Sequence, residues 1–122
     1  MQNGDVASRL KIYISSTDKY EHAPLYEAIV YAARKNGIAG ATVTRGIMGY
    51  GTSSKVYTTK LWELSEKTPL IVEIIDKKEK VENLLELLKP LFEKSGKGHI
   101  ITIEDTRVAI HRTGRKPNEP YF

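Results

Sequence analysis

The sequence predicts an α+β fold of the ferredoxin-like class, a βαββαβ sandwich in which an antiparallel sheet carries two helices on one face. Strand-like and helix-like segments follow one another in that order along the 122 residues, with one short extra strand near the end. Each helical segment carries an apolar stripe that must be buried. The chain also has the length of one domain, roughly 100 to 150 residues. We therefore expect one hydrophobic core between the sheet and the helices.

The first half of the chain predicts a strand, a helix and a second strand. Over residues 10–15, Leu and Ile alternate with more polar residues, as in a strand with one buried face. Pro24 suits the first helical position, where its missing N–H costs nothing, and Gly37 suits the helix end. Between them apolar residues recur at helical spacing: Leu25, Ile29, Ala32 and Ala33. Residues 41–47 predict the second strand.

The second half predicts a strand, a helix and two short strands. Residues 69–75 are apolar at nearly every position, which indicates the third strand. Asp76 has the spacing of a capping box and predicts the start of the second helix. Its apolar stripe consists of Val81, Leu84, Leu85, Leu88, Leu91 and Phe92. Because Pro90 removes one backbone hydrogen bond, we expect a kink or an early end there. Residues 99–104 and 107–112 predict the last two strands.

Residues 9–112 form the predicted single domain, with a flexible N-terminus at residues 1–8 and a C-terminal tail at residues 113–122. The absence of cysteine excludes disulfides, thiol catalysis and cysteine-ligated metals. No apolar run approaches the roughly 20 residues that cross a bilayer, and no apolar signal core occurs near the N-terminus. We expect a soluble, cytoplasmic protein.

Positive charge is concentrated in two glycine-bearing segments. Residues 45–60 contribute +3 and residues 94–116 contribute +4, so the rest of the chain is negative within a net charge of +4. Glycines let backbone N–H groups approach an anion, and nearby Lys or Arg side chains supply charge. This confinement favours a small anion such as phosphate over the extended backbone of a nucleic acid.

Both faces of the third and fourth strands carry apolar residues. Ile71 and Ile75 alternate with the apolar residues on the opposite face of their strand, and Ile101 and Ile103 do so in the last strand. A sheet face without helices would then associate in water, so we predict oligomerisation through this open face. Glu73 on the same face would need a basic or hydrogen-bonding partner.

No set of residues has the pattern of a catalytic or metal site. The three histidines, His22, His99 and His111, are scattered, and no pair has the spacing of metal ligands on one element. The acidic and hydroxyl residues include no acid–base pair and no nucleophile beside a base. The sequence therefore predicts no catalytic residue, no metal and no enzyme activity. A small enzyme acting at a cleft between subunits stays an alternative.

Five segments together resemble the P-II-like family called domain of unknown function 190: residues 24–30, 39–46, 49–51, 64–66 and 69–76. The resemblance covers residues 9–112. P-II signalling proteins are ferredoxin-like homotrimers that bind adenine nucleotides in clefts between subunits and contact partners through a long loop after the second strand. The resemblance implies that residues 46–68 form this loop.

Three motifs are similar to parts of the P-II nucleotide site. Residues 49–51 resemble the Gly-Phe-Gly at the loop base, residues 96–100 the phosphate-binding Gly-Asp-Gly-Lys-Ile, and residues 112–114 the end of Arg-Ile-Arg-Thr-Gly. The nucleotide- or anion-binding residues that we predict are Arg45, Gly49, Tyr50, Gly51 and Lys55, faced from a neighbouring subunit by Gly96, Lys97, Gly98, His99 and Arg112.

Three positions depart from the P-II pattern. His99 stands where P-II has its phosphate-binding lysine, Ile110 where it has the first arginine, and Ser53 where it has a glutamine that helps to hold magnesium and 2-oxoglutarate. These departures argue against tight ATP binding and 2-oxoglutarate sensing, although Lys97 and His111 could restore some positive charge, and they leave the identity of the ligand open.

Together these observations predict a homotrimeric regulator that binds a nucleotide or another phosphate-bearing metabolite, with an adenine nucleotide as the first candidate and no required cofactor. Signalling would run through residues 46–68 to a protein target such as a membrane transporter or an enzyme. Two alternatives stay open. A nucleic-acid-binding protein would use the same basic segments with Tyr50, Tyr57 and Trp62 as stacking platforms, although the charge distribution does not favour it. A structural trimer would bind no ligand.

Overall fold

The structure is a computed structural model that describes residues 1–51, 57–58 and 67–114. The elements are β1 (Val6–Ser15), β2 (Lys19–Tyr20), β3 (Ala23–Pro24), α1 (Leu25–Lys35), β4 (Gly40–Arg45), β5 (Met48–Gly49), β6 (Tyr57–Thr58), β7 (Pro69–Lys77), α2 (Lys78–Ser95) and β8 (Ile100–Arg107). The long elements alone, β1, α1, β4, β7, α2 and β8, follow the predicted order βαββαβ. The short pairs β2–β3 and β5–β6 are two-stranded ribbons beside them.

The main sheet has the strand order β4-β7-β1-β8, and each neighbouring pair is antiparallel. This order confirms the ferredoxin-like prediction, with β1 and β7 in the centre. Ser15 lies opposite Pro69, and Tyr13 lies opposite Ile100. The last residues of β1 and β4 and the first residues of β7 and β8 therefore meet at one end of the sheet, which we call the loop end.

The hydrophobic core lies between one sheet face and the two helices. Its strand residues alternate along β1 and β7, and its helix residues come from the predicted apolar stripes: Leu10, Ile12, Ile14, Leu70, Val72, Ile74, Leu25, Ile29, Ala33, Val81, Leu84, Leu88 and Phe92. All of them are buried. The apolar residues that recur every two positions in the strands and about every 3.6 positions in the helices therefore form one buried layer. No helix within the described ranges is long and apolar enough to cross a membrane.

The helix ends match the predictions only in part. Gly37 follows α1 with a φ of +72°, as a helix-stop glycine should, but Pro24 precedes the helix rather than starting it. The prediction that Asp76 forms a capping box is wrong, because no described side chain caps the start of α2. Its carboxylate accepts hydrogen bonds from the Ala39 N–H at 2.9 Å and the Lys77 N–H at 2.6 Å, and it pairs with Lys80 at 3.7 Å. Asp76 thus joins the start of β4 to the end of β7.

The prediction that α2 ends early at Pro90 is also wrong. Helix α2 continues to Ser95 and ends at Gly96, whose φ of +66° is the left-handed conformation that glycine adopts most easily. Pro90 is exposed, whereas Phe92 is buried in the core. Burial of Phe92 stabilises the last helical turn beyond the hydrogen bond that proline removes.

The segment before β1 pairs with the residue after β8, which corrects the prediction that residues 6–8 are flexible. Residues 6–8 are part of β1 rather than of a flexible N-terminus, because the Gly4 N–H donates to Val108 O at 2.6 Å and the Val108 N–H donates to Asp5 O at 2.8 Å. The last strand continues to Arg107, and the described residues after it include no strand, so a separate strand at residues 107–112 is wrong. Strand β4 likewise ends at Arg45, two residues before the predicted end.

The open face of the sheet is mixed rather than apolar. Lys11 lies opposite Glu73 in the register of β1 and β7, which places a basic residue beside this carboxylate. Arg9 Nε donates to Glu104 Oε1 at 3.0 Å on the same face. Toward the loop end, Tyr13 forms an apolar row with its cross-strand neighbours Ile71 and Ile100. Oligomerisation through this face stays a prediction.

Candidate functional site

A cleft of about 600 Å³ opens at the loop end of the sheet. Four segments line it: residues 13–18 at the end of β1, 46–51 after β4, 67–71 at the start of β7, and 97–100 before β8. The antiparallel order explains why segments so far apart in sequence meet, since each one borders a strand terminus at this end. Clefts of this size typically hold small-molecule ligands.

The floor and one side of the cleft are largely apolar. The row of Tyr13, Ile71 and Ile100 ends the open face here, and Met48 and Pro69 also line the cleft. Tyr50 lines the same space, and 74% of its surface is exposed, so its ring stands at the rim. These side chains offer a surface on which a planar ring could stack.

The opposite side carries two of the basic lining residues, and a third, Lys67, lies just before β7. Lys97, Gly98 and His99 line the cleft directly after the left-handed turn at Gly96 that ends α2. The His99 ring stacks on Phe92 with centroids 4.6 Å apart, and its Nδ1 lies 3.2 Å from the carbonyl oxygen of Lys97. When Nδ1 donates to that carbonyl, Nε2 is left for a ligand or water. The arrangement suits a small anion.

The loop base is held by close packing of two glycines on Pro69. The Gly46 N–H donates to Pro69 O at 2.8 Å, so this N–H is already used. A β-carbon at Gly46 would lie 2.9 Å from Pro69 Cγ, and one at Gly49 would lie 3.5 Å from the same atom. The glycine at position 46 therefore permits close approach of the two segments, a role that sequence reasoning did not assign.

Replacing Gly46 with alanine should lower the free energy of unfolding by about 1–3 kcal/mol, the usual cost of forcing an extra carbon into a packed site. The proline ring is rigid, so the neighbour cannot swing away as a flexible side chain would. Urea denaturation measures the change. Gly40→Ala is the matched control, because a β-carbon there meets no described atom within 4 Å. Equal midpoints for the two variants would contradict this packing.

The centre of the cleft contains polar groups that were missed. The segment after β1 is tied to the start of β7, because the Ser16 N–H donates to Thr68 O and the Thr68 N–H donates to Ser16 Oγ, both at 2.9 Å. Beside this tie, Ser15, Thr17 and Asp18 line the cleft. The sequence contains a run of Ser, Thr and Asp directly after the strand, residue types that favour turns.

The structure brings together six of the predicted site residues. Gly49, Tyr50 and Gly51 line the cleft with Lys97, Gly98 and His99. Both groups line one cleft of a single chain, because the sheet topology places the end of β4 and the start of β8 at the same end of one sheet. A contribution of residues 97–99 to the loop base of a neighbouring subunit stays a prediction.

Three other predicted residues lie outside the cleft lining. Arg45 ends β4 as an exposed residue, Gly96 caps α2, and Arg112 is exposed beyond β8, and none of the three is among the lining residues of the cleft. Lys55 lies outside the described residues, as do Ser53 and Trp62. Within the ranges that the structure describes, no three His, Asp or Glu side chains are grouped as a metal site.

Sequence comparison identifies relatives over most of the chain. The model of the family DUF190, described as "Uncharacterized ACR", matches residues 7–108. A UPF0166 protein of Aquifex aeolicus (strain VF5) is 38% identical over 100 residues, which cover 81% of this chain and 90% of that protein. A UPF0166 protein of Methanocaldococcus jannaschii is 35% identical over 102 residues, which cover 84% of this chain and 91% of that protein.

Solved structures share the fold at lower identity. CPII from Thiomonas intermedia K12, a nitrogen regulatory PII-like protein solved with ADP, AMP and bicarbonate, has a TM-score of 0.66 at 20% identity, covering 87% of this chain and 91% of that one. A Thermus thermophilus protein described as a putative PII-like signaling protein has a TM-score of 0.61 at 19% identity, covering 88% of this chain and 93% of that one. The resemblance and the fold predicted from the sequence are both confirmed: the chain belongs to the DUF190 family and has a PII-like fold.

Proposed function

We propose that this protein is a PII-like regulator that binds a nucleoside phosphate in the cleft at the loop end of its sheet. One observation carries the proposal. The cleft combines an apolar side at Met48 and Tyr50 with a positively charged side at residues 97–99, within one chain. An aromatic base and an anionic phosphate are the two chemistries that these sides would accept.

The PII-like neighbours support an adenine nucleotide as the first ligand to test. CPII, which shares the fold, was solved with ADP and AMP bound. Its 20% identity does not carry ligand identity to this chain, so the proposal rests on the chemistry of the cleft. AMP and ADP are the first nucleotides to test, and Lys67, Lys97 and His99 are the basic lining residues that could contact their phosphates.

Signalling by this protein would use residues 46–68. Residues 46–51 and 67–68 border the cleft at both ends of this segment. A ligand that contacts both ends favours one arrangement of the loop, and differential contacts of this kind are what a regulatory switch requires. We further propose a homotrimer that presents this segment to a protein target. The role is binding rather than catalysis.

Isothermal titration calorimetry of the purified protein tests the proposal. AMP, ADP, ATP and a cyclic nucleotide form the panel, with adenosine and inorganic pyrophosphate as the two halves of the ligand. The expected result is saturable binding of AMP or ADP, and weaker binding of each half alone. The absence of heat with every nucleotide, together with an unchanged melting temperature, would contradict the proposal.

A further inference from the structure

Asp18 is a carboxylate on a cleft whose other charged lining residues are basic. It lines the cleft from the turn after β1, and only 5% of its surface is exposed. Lys67, Lys97 and His99 line the same space. An anionic ligand alone does not explain an acidic side chain at this position, since a like charge nearby opposes binding of an anion.

Among the residues that the structure describes, only one oxygen of the Asp18 carboxylate accepts a hydrogen bond. The Ser15 N–H donates to Asp18 Oδ2 at 3.0 Å, and the Asp18 N–H donates to Ser15 O at 3.1 Å. The Leu25 N–H donates to the Asp18 carbonyl at 2.7 Å. Within the described part of the chain, Oδ1 receives no hydrogen bond. Oδ1 is not among the buried polar atoms without a partner, so it is open to the cleft, where a ligand hydroxyl can replace water as its donor.

The order of the four segments across the sheet places Asp18 between the two sides of the cleft. Following the strands β4, β7, β1 and β8, the lining segments are residues 46–51, 67–69, 15–18 and 97–99. The apolar side chains of Met48 and Tyr50 thus lie toward one edge, and the basic residues 97–99 toward the other. A nucleoside phosphate has the same order, with base, sugar and phosphate in line.

The residues beside Asp18 suit the middle of such a ligand. Ser15 Oγ and Thr17 Oγ1 are 3.2 Å apart, and both residues line the cleft with Asp18. A carboxylate flanked by hydroxyl groups matches neighbouring sugar hydroxyls, because each sugar O–H can donate to the carboxylate and accept from a hydroxyl. An acidic residue that binds a ribose hydroxyl is a known solution in other nucleotide sites.

We propose that Asp18 is a specificity-determining residue that accepts hydrogen bonds from the ribose hydroxyls of the bound nucleoside phosphate. This inference rests on the proposed function and adds the recognition of the sugar. The carboxylate also selects against ligands that are anionic along their whole length, such as inorganic pyrophosphate, because they would place negative charge beside it.

The test compares AMP, 2′,3′-dideoxy-AMP and pyrophosphate by calorimetry on wild type and on Asp18→Asn. The asparagine can still accept from the Ser15 N–H through its oxygen, so the turn is retained while the charge is removed. Wild type should prefer AMP over its dideoxy analogue by about tenfold or more, as expected for hydrogen bonds to a charged group. In Asp18→Asn this preference should fall toward one, and pyrophosphate should bind at least as well as in wild type.

Asp5→Asn is a matched control. Asp5 forms the same turn, in which the Gln2 N–H donates to Asp5 Oδ2 at 2.8 Å and the Asp5 N–H donates to Gln2 O at 3.1 Å. It precedes β1, whereas Asp18 follows it, and a ten-residue strand separates them by about 30 Å. Asp5→Asn should leave the AMP preference unchanged, and comparison of the melting temperatures reports the effect on the turn.

Three results would overturn the inference. Wild type that binds AMP and its dideoxy analogue equally would show that the hydroxyls are not recognised, and this comparison needs no variant. An unchanged preference in Asp18→Asn would assign the recognition to other residues. Equal losses for AMP and its analogue, with a lower melting temperature, would mean a structural role alone. If wild type binds no nucleotide at all, the proposed function fails as well.

Discussion

Replacing Lys97 with glutamate should weaken AMP binding by about 10- to 100-fold, the range of a lost charge-assisted hydrogen bond. Lys97 lines the cleft beside Gly98 and His99, and no acidic residue lies on this segment. Charge reversal removes the attraction for the phosphate and adds repulsion in its place. Because Lys97 is exposed, the variant should fold normally, with little change in its melting temperature. Calorimetry at about 0.15 M salt measures the effect.

Lys94→Glu is the control for net charge. Lys94 lies in the last turn of α2 as an exposed residue and pairs with Glu21 at 3.5 Å, outside the cleft lining. Both variants lower the net charge equally. Salt screens exposed charges that do not contact the ligand, so Lys94→Glu should weaken AMP binding much less than Lys97→Glu. Equal losses for the two variants would indicate a general charge effect and contradict a phosphate position at residue 97.

Replacing Ile12 with alanine should lower the free energy of unfolding by about 2–5 kcal/mol, the usual cost of a large-to-small change in a packed core. Ile12 has no exposed surface, and it lies in the central strand β1 beneath the helices. Its neighbours come from strand and helix layers fixed by other contacts, so they can close the cavity only in part. Urea denaturation measures the loss. The slope of the unfolding free energy against urea concentration should be the same in wild type and variant, since a different slope would indicate a changed unfolded state.

Ile103→Ala makes the same chemical change on the edge strand β8. Ile103 is 47% exposed, so its replacement should lower the free energy of unfolding by only about 1 kcal/mol. A similar loss in both variants would contradict a core centred on β1 and β7. The pair therefore checks the placement of the buried layer, on which the position of the cleft at the loop end depends.

The sequence was sufficient for the fold because its signals are local. Alternation in β1 and the apolar stripe of α2 each lie within one element, and burial imposes the period directly. The predictions were wrong where the structure depends on contacts between residues that are far apart in the sequence. Val6 joins β1 because its partner is Arg107, about a hundred positions away. Asp76 bonds to Ala39 instead of capping α2, since the start of β4 presents its N–H nearby.

The site was predictable where it depended on motif resemblance and not where it depended on topology. Residues 49–51 and 97–99 were found through their glycines and positive charge. Their meeting within one chain required the strand order, which no motif contains. Asp18 was missed because an acidic residue in a polar turn has no signature until the turn is placed on the cleft. Arg112 was assigned by resemblance alone, and it lies outside the cleft lining.

A crystal structure of the protein with AMP is the most direct measurement of the central claim, that one chain forms the nucleoside phosphate site. The phosphate is predicted within hydrogen-bonding distance, about 3 Å, of Lys97 Nζ or His99 Nε2. The base should lie against Met48 and Tyr50 of the same chain. AMP bound away from this cleft, or held by residues 97–99 of one chain and residues 49–51 of another, would contradict the account.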